Sequence, residues 1–136
     1  MNDLFLKIIK GEIPSEKIYE DDKTYAFLDI NPNNPGHTLV IPKESSRNIF
    51  DIKEEDWQAL METVRKLAPS IKEAMQADGI NIHMNNEPAA FQEVFHTHIH
   101  IIPRFKDDGF KPFGGTPYKE GEEKRVGEKI RSIIAP

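Results

Sequence analysis

The sequence predicts an α+β domain: a mostly antiparallel five-stranded sheet, one long helix packed on a face, and a short helix near each end. Three observations point there. Five short stretches carry strand-forming residues and are separated by turn-forming ones. One stretch, Trp57 to Met75, repeats apolar residues at three- and four-residue steps. The chain has 136 residues, near the commonest size of a single domain, and no internal repeat, low-complexity tract or linker divides it.

The elements follow in order. In "DLFLKIIKGEIP" Leu4, Phe5, Ile8 and Ile9 fall at helical spacing, with Asp3 placed to cap the start and Gly11 to stop the helix. "KIYEDDKTYAFLDI" reads as a strand over Ile18–Glu20, a turn at Asp21-Asp22 and a strand over Thr24–Leu28. "NPNNPGH", Asn31 to His37, is a loop, and "HTLVIPK" a third strand ended by Pro42. The long helix lies in "DIKEEDWQALMETVRKLAPSIKEAMQADG"; Gly79 is expected to end it and Pro69 to kink or split it. "INIHMNN" is a fourth strand, "NEPAA" a turn and "EVFHTHIHIIPR" a fifth strand. After a Gly/Pro-rich loop, a last amphipathic helix is expected near Glu122–Ile133.

Composition excludes several function classes. There is no cysteine, so disulfides, thiol catalysis and Cys-ligated zinc are out, and the cytoplasm is the expected compartment. The net charge is -5, and no basic stripe appears, so no nucleic acid is expected as a partner. No apolar run approaches the roughly 20 residues of a membrane span, and Lys7 and Lys10 interrupt the N-terminal apolar pattern, so neither a signal peptide nor a membrane partner is expected.

The chemistry concentrates in "FQEVFHTHIHIIPRF", where His96, His98 and His100 alternate. On a strand these three share one face, with Thr97, Ile99 and Ile101 on the other, toward a core. Surface histidines without function, a zinc site and nucleophilic catalysis all fit that pattern. Catalytic zinc takes three protein ligands and supporting carboxylates or carbonyls, but no HExxH occurs here. A nucleophilic imidazole needs one bare nitrogen and an acceptor on the other. At phosphorus it also needs donors for the phosphate oxygens.

The motif "HTHIHII" resembles the His-φ-His-φ-His-φ-φ signature of the histidine triad (HIT) family, with threonine at the first φ. "LFLKIIKGEIPSEKIYEDDKTYAFLDINPNNPGHTLVIPKE" is similar to the family's N-terminal half, and "NNEPAAFQEVFHTHIHIIPR" to its nucleotide loop and triad strand, as in bacterial Hint-like members. The match runs over residues 2–105. It implies a single domain over 1–136 with a variable extension, 106–136, and a two-fold homodimer formed through the long helix and a strand.

The resemblance also implies an activity: hydrolysis or transfer at the α-phosphate of a purine nucleotide through a nucleotidyl-histidine intermediate, releasing a nucleoside monophosphate. The substrate would be a phosphoramidate, an adenylate or a dinucleoside polyphosphate; the alternative is a nucleotide-binding interaction scaffold with weak residual activity. No cofactor is implied. His98 takes the nucleophile's position, His100 the place near phosphate and leaving group, and His96 and His37 those of a supporting pair that orients the nucleophile and carries protons. Asp29 matches the ribose-binding acid. Phe5, Ile8, Phe27 and Ile30 match the walls around the base, and periodicity alone reads all four as core. Asn85 and Gln92 match polar residues near the phosphate. Two positions depart from the family. Phe91 stands where glycine is usual, which implies a phosphate loop of different shape or mobility. Glu93 stands where a hydroxyl is common; it either points away or alters substrate preference. The CxxC of zinc-binding members is replaced by Asp3 and Leu6, so no metal is expected.

Overall fold

The computed structural model describes residues 3–134. The elements run α1 (Leu4–Ile9), β1 (Lys17–Glu20), β2 (Thr24–Leu28), β3 (Thr38–Pro42), α2 (Glu54–Met75), β4 (Gly79–His83), β5 (Ile99–Arg104) and α3 (Glu122–Ile134). The strands form one sheet in the order β1-β2-β3-β5-β4, with every neighbouring pair antiparallel.

Alternation along the strands divides the side chains between two layers. On one face Ala26, Val40, Ile99 and Ile101 pack against Leu60, Val64, Leu67 and Ile71 of α2. On the other, Tyr25, Phe27, Leu39 and Ile41 pack against Phe5 and Ile8 of α1. The α1 face is only partly covered, because that helix is six residues long. What it leaves open is the floor of the histidine-bearing site.

Several boundaries differ from expectation. Helix α2 is unbroken through Pro69. The missing N–H frees the carbonyl four residues back, on Arg65, whose side is exposed and open to water. The helix closes at Gln76, not Gly79: Gln76 is left-handed (φ 54°), and the amides of Gln76 and Ala77 return to the carbonyls of Glu73 and Lys72. Gly79 opens β4 instead. Asp3 makes no side-chain cap on α1; its carbonyl accepts from the Lys7 amide and its carboxylate pairs with the Lys7 ammonium. The "NEPAA" turn contains a single 3-10 turn, Pro88–Ala90. No residue of α3 is buried.

The largest difference is at β5, which begins at Ile99 rather than near Glu93. The residues before it are captured by groups distant in sequence. The Thr97 amide donates to the Ser46 carbonyl at 2.9 Å, the two hydroxyls meet at 2.6 Å, and His96 reaches the Pro42 carbonyl at 2.8 Å. His96 and His98 therefore stand on irregular backbone, and only His100 is in the ladder.

Candidate functional site

Four histidines are fixed by hydrogen bonds that define their tautomers. His98 Nδ1 lies 2.7 Å from the His96 carbonyl oxygen. A carbonyl only accepts, so Nδ1 carries the proton and Nε2 is the bare nitrogen. His96 donates its own Nε2–H to the Pro42 carbonyl. The Asn33 amide donates to His37 Nδ1 at 3.0 Å, which places the proton of His37 on Nε2, 2.9 Å from His100 Nδ1. His100 accepts there and so carries its proton on Nε2. That atom is buried and has no partner among the described residues.

All four rings are held neutral. Burial lowers the pKa of His37, His96 and His98. His100 is pushed down to about 3, by burial first and then by the neighbouring imidazoles of His98, His83 and His37. The site thus offers a neutral imidazole with a bare nitrogen beside a neutral N–H donor.

These groups open on a cavity of about 340 Å³, within the usual range of small-molecule sites. Phe5, Ile8, Phe27, Asp29, His98 and His100 line it, together with Asn85 and, at its mouth, Ile30. Phe5 meets Phe27 and His98 edge to face, with ring centroids 5.5 and 5.1 Å apart. Phe5, Ile8 and Phe27 are both core and cavity wall. Ile30 is not core: it is 88% exposed, because the chain leaves β2 before reaching it. Asp29 accepts the Asn31 amide on one oxygen, and its other lies 3.7 Å from His37 Nε2.

Three expected site residues do not line the cavity; His37 stands behind His100, 2.9 Å from its Nδ1. The His96 imidazole is fully buried and does not line the cavity; it is the His96 backbone carbonyl that orients His98. The reason is the irregular backbone at 94–98, which turns this ring inward. Gln92 is also buried and off the cavity, with both ends of its amide used twice. It donates to the carbonyls of Arg47 (2.8 Å) and Val94 (3.1 Å) and accepts from the Glu87 amide (2.8 Å) and Asn48 Nδ2 (3.0 Å). It locks the loop that carries Asn85, Phe91 and Glu93. Gln92→Ala is expected to cost about 2–3 kcal/mol, because the groups it satisfies lose their partner together; urea unfolding measures this.

Phe91 keeps the conformation a glycine would adopt, left-handed at φ 71°, so the loop retains the shape that glycine favours. The strain is about 1 kcal/mol, the usual penalty for a side chain there. The Phe91 carbonyl faces Asn85 Nδ2 at 3.4 Å, while its ring stays exposed at the cavity mouth. Glu93 lines the cavity rather than pointing away.

Asp29, His37 and His100 bring donor atoms within 4.8 Å of one another, a spacing a metal could use. Their hydrogen bonds disfavour it. A metal needs a lone pair on His37 Nε2, which would move the proton to Nδ1 and set it against the Asn33 N–H.

His83 was not singled out from the sequence. Its ring lies 4.6 Å from that of His100, and the two residues are register partners across β4 and β5. The available signal was alternation: Ile80 and Ile82 fall on one side of the fourth strand and Asn81 and His83 on the other. Which strand lay beside them was not readable locally.

Residues 10–107 match the HIT domain family. The protein named "Protein hit" of Bacillus subtilis is 46% identical over 138 residues, covering 98% of this chain and 95% of that one. "Adenosine 5'-monophosphoramidase HNT1" of Saccharomyces cerevisiae is 39% identical over 132 residues, covering 97% and 80%. The crystal structure of a HIT family member from Bacillus subtilis superposes with a TM-score of 0.89 at 39% identity, covering 98% of this chain and 97% of the other. No helix among the described residues is long and apolar enough to cross a membrane. Sequence likeness along nearly the whole chain and the same backbone agree with the histidine motif: the chain belongs to the HIT family.

Proposed function

We propose that the protein hydrolyses purine nucleotides at the α-phosphate through a nucleotidyl intermediate on His98, with adenosine 5'-phosphoramidates as the first substrates to test. The observation that carries this is the pairing of one bare, accessible imidazole nitrogen with one partnerless N–H. His98 Nε2 is held bare by the His96 carbonyl, and the ring of His100, whose Nε2–H is unsatisfied, has its centroid 5.0 Å from that of His98. The yeast relative's name supports the choice of substrate.

The nucleoside occupies the cavity between Phe5, Ile8 and Phe27, with the free oxygen of Asp29 accepting from the ribose hydroxyls. The lone pair of His98 Nε2 attacks the α-phosphorus. The P–N bond breaks, its electron pair leaves with the nitrogen, and that nitrogen takes a proton from solvent at the cavity mouth. His100 and Asn85 donate hydrogen bonds to the phosphate oxygens, where charge gathers. With its pKa near 3, His100 acts here as a neutral donor rather than as an acid. The Nε2–H of His37 holds it in that tautomer. Water then attacks phosphorus, the P–Nε2 bond returns its electrons to His98, and the proton lost by water goes to solvent, leaving AMP.

A two-fold dimer belongs to the same proposal. β4 is an edge strand, and an apolar groove between it and α2, lined by Met61, Val64, Ala68, Ile80 and Ile82, lies beside it.

The test is incubation with adenosine 5'-phosphoramidate, with AMP followed by chromatography and the protein by rapid-quench intact mass. AMP release with a transient adenylyl adduct on a peptide containing His98 is expected. Nucleotide binding without AMP would overturn the hydrolase and favour a binding protein.

A further inference from the structure

The loop between β4 and His96 holds two backbone conformations that side chains rarely adopt. Glu87 sits at φ 81° and ψ 154°, a region occupied almost only by glycine, and Phe91 is left-handed at φ 71°. They flank the 3-10 turn Pro88–Ala90. Such conformations persist where the surroundings fix them several times over.

At Glu87 every polar group is held. The Arg47 guanidinium grips its carboxylate at two points, Nε 2.9 Å from Oε2 and Nη2 3.0 Å from Oε1, and Asn48 Nδ2 donates to Oε2 at 2.7 Å. Its amide donates to Gln92 Oε1 at 2.8 Å, and its carbonyl accepts from the Ala90 and Gln92 amides. The preceding residue is gripped by the same segment: the Ile49 amide donates to Asn86 Oδ1 at 2.8 Å.

The gripping segment, between β3 and α2, is braced from within. The Asp51 carboxylate accepts from the Arg47 and Asn48 amides, at 2.9 and 3.0 Å. The Arg47 guanidinium also lies 4.4 Å from the centroid of the Phe95 ring, a cation–π contact. Phe95 precedes His96, whose carbonyl orients His98. Arg47 thus touches both the loop that carries Asn85 and the stretch that leads to His98, while lying outside the cavity itself.

The pair adds little to overall stability, because the two side chains are 45% and 42% exposed and ion pairs so exposed are weak. Its effect is local. Without the bonds to its carboxylate, a non-glycine residue at position 87 leaves the glycine-type conformation, and Asn85, two residues earlier, shifts with it.

We infer that Arg47 and Glu87 are positioning residues: their ion pair latches position 87 in a glycine-type conformation and so holds Asn85 at the phosphate. The assignment rests on the proposed hydrolysis at His98. Asn85 serves charge that gathers in the transition state, whereas the nucleoside is held by Phe5, Ile8, Phe27 and Asp29. Loss of the latch is therefore read in kcat rather than in KM.

The experiment uses the full-length protein and adenosine 5'-phosphoramidate, with kcat and KM read from AMP release. Wild type, Glu87→Ala, Glu87→Gly, Arg47→Ala and the double variant of Arg47→Ala with Glu87→Gly are compared. Alanine and glycine both remove the carboxylate, but only glycine takes this backbone conformation without strain. Glu87→Ala and Arg47→Ala are each expected to lower kcat ~10-fold, a partial loss of one transition-state donor, with KM within ~2-fold of wild type. Glu87→Gly is expected to keep kcat within ~3-fold of wild type. Adding Arg47→Ala to it is expected to change nothing further, since the pair is already broken. Equal falls in kcat for Glu87→Ala and Glu87→Gly would assign the effect to the charge and overturn the latch. A melting temperature lowered by more than ~10 °C in Glu87→Ala would make the pair part of the global fold and overturn it too. Unchanged kcat in Glu87→Ala and Arg47→Ala would overturn the latch and leave the hydrolase reading standing. No AMP from wild type would remove the hydrolase reading and the positioning role with it.

Discussion

Replacing His98 with alanine is expected to lower AMP release by ~10^4-fold or more, the scale on which losing an activated nucleophile acts. The expectation comes from counting available lone pairs. His37 has Nδ1 occupied by the Asn33 amide and a proton on Nε2. His100 accepts on Nδ1 and is protonated on Nε2. His96 has a bare Nδ1, but that atom is buried and the whole residue has no exposure. Of the four ordered imidazoles only His98 brings a bare nitrogen to the cavity. The variant's melting temperature is measured alongside, since His98 packs against Phe5 and its removal leaves a small void. A folded His98→Ala protein that retains AMP release within tenfold of wild type would move the chemistry to direct attack by water.

Stability is expected to fall steeply as pH drops below 6.5, before ordinary carboxylates protonate. All five histidines have native pKa values below the usual 6.5, chiefly through burial. Between the lowered native value and 6.5 the unfolded chain binds protons that the folded chain does not. By linkage, the free energy of unfolding then decreases as pH decreases. Each histidine that stays neutral in the folded state contributes a slope of ~1.4 kcal/mol per pH unit. His100 contributes over the longest window, from 6.5 down to about 3. Several such slopes act together against a total stability of ~5–15 kcal/mol, so acid unfolding is expected at a higher pH than the carboxylates alone would set. Asp21 and Asp51 are held low by backbone amide hydrogen bonds, in Asp21 against a larger opposing effect of burial, and their contribution is lost only at more acidic pH. Urea unfolding from pH 8 to 4.5 measures the profile. A flat free energy between pH 6.5 and 5 would mean that the imidazoles accept protons without unfolding the site. The same neutrality puts the acidic limb of activity below pH 6.5, since His98 must be unprotonated to attack.

Much of this was legible in the chain because strand and helix periods are local. The step from Phe27 to Leu39 to His100 is a row of residues on one face, but only the last strand announced its two sides, imidazole against aliphatic; the second and third strands are buried on both faces and carry no such alternation. The apolar repeat of α2 marked its buried stripe, since Leu60, Val64, Leu67 and Ile71 pack on the sheet as their spacing required. The helix's passage through Pro69 was less legible, because whether a freed carbonyl can be solvated depends on which side of the helix it faces.

The site divides along the same line. Residue types and spacing by themselves brought three imidazoles together; the acid, the apolar wall and the link to nucleotide chemistry were implied by the resemblance to the HIT family. The assignment of parts among them came from contacts between positions far apart in sequence. Ser46 and Pro42 draw residues 96 and 97 out of the strand, so His96 turns inward and lends His98 its carbonyl instead of its ring. Asn48, Glu87 and Arg47, with nearby Val94, take every bond Gln92 can make. The pairing of β4 with β5 brings His83 to the side of His100. Local sequence determines which faces are apolar and which residues can do chemistry, because those properties belong to each residue and its near neighbours. Which nitrogen is bare, which amide is saturated and which histidine adjoins the reacting centre are decided by tertiary structure, because a hydrogen bond to a distant backbone group exists only once the chain has folded.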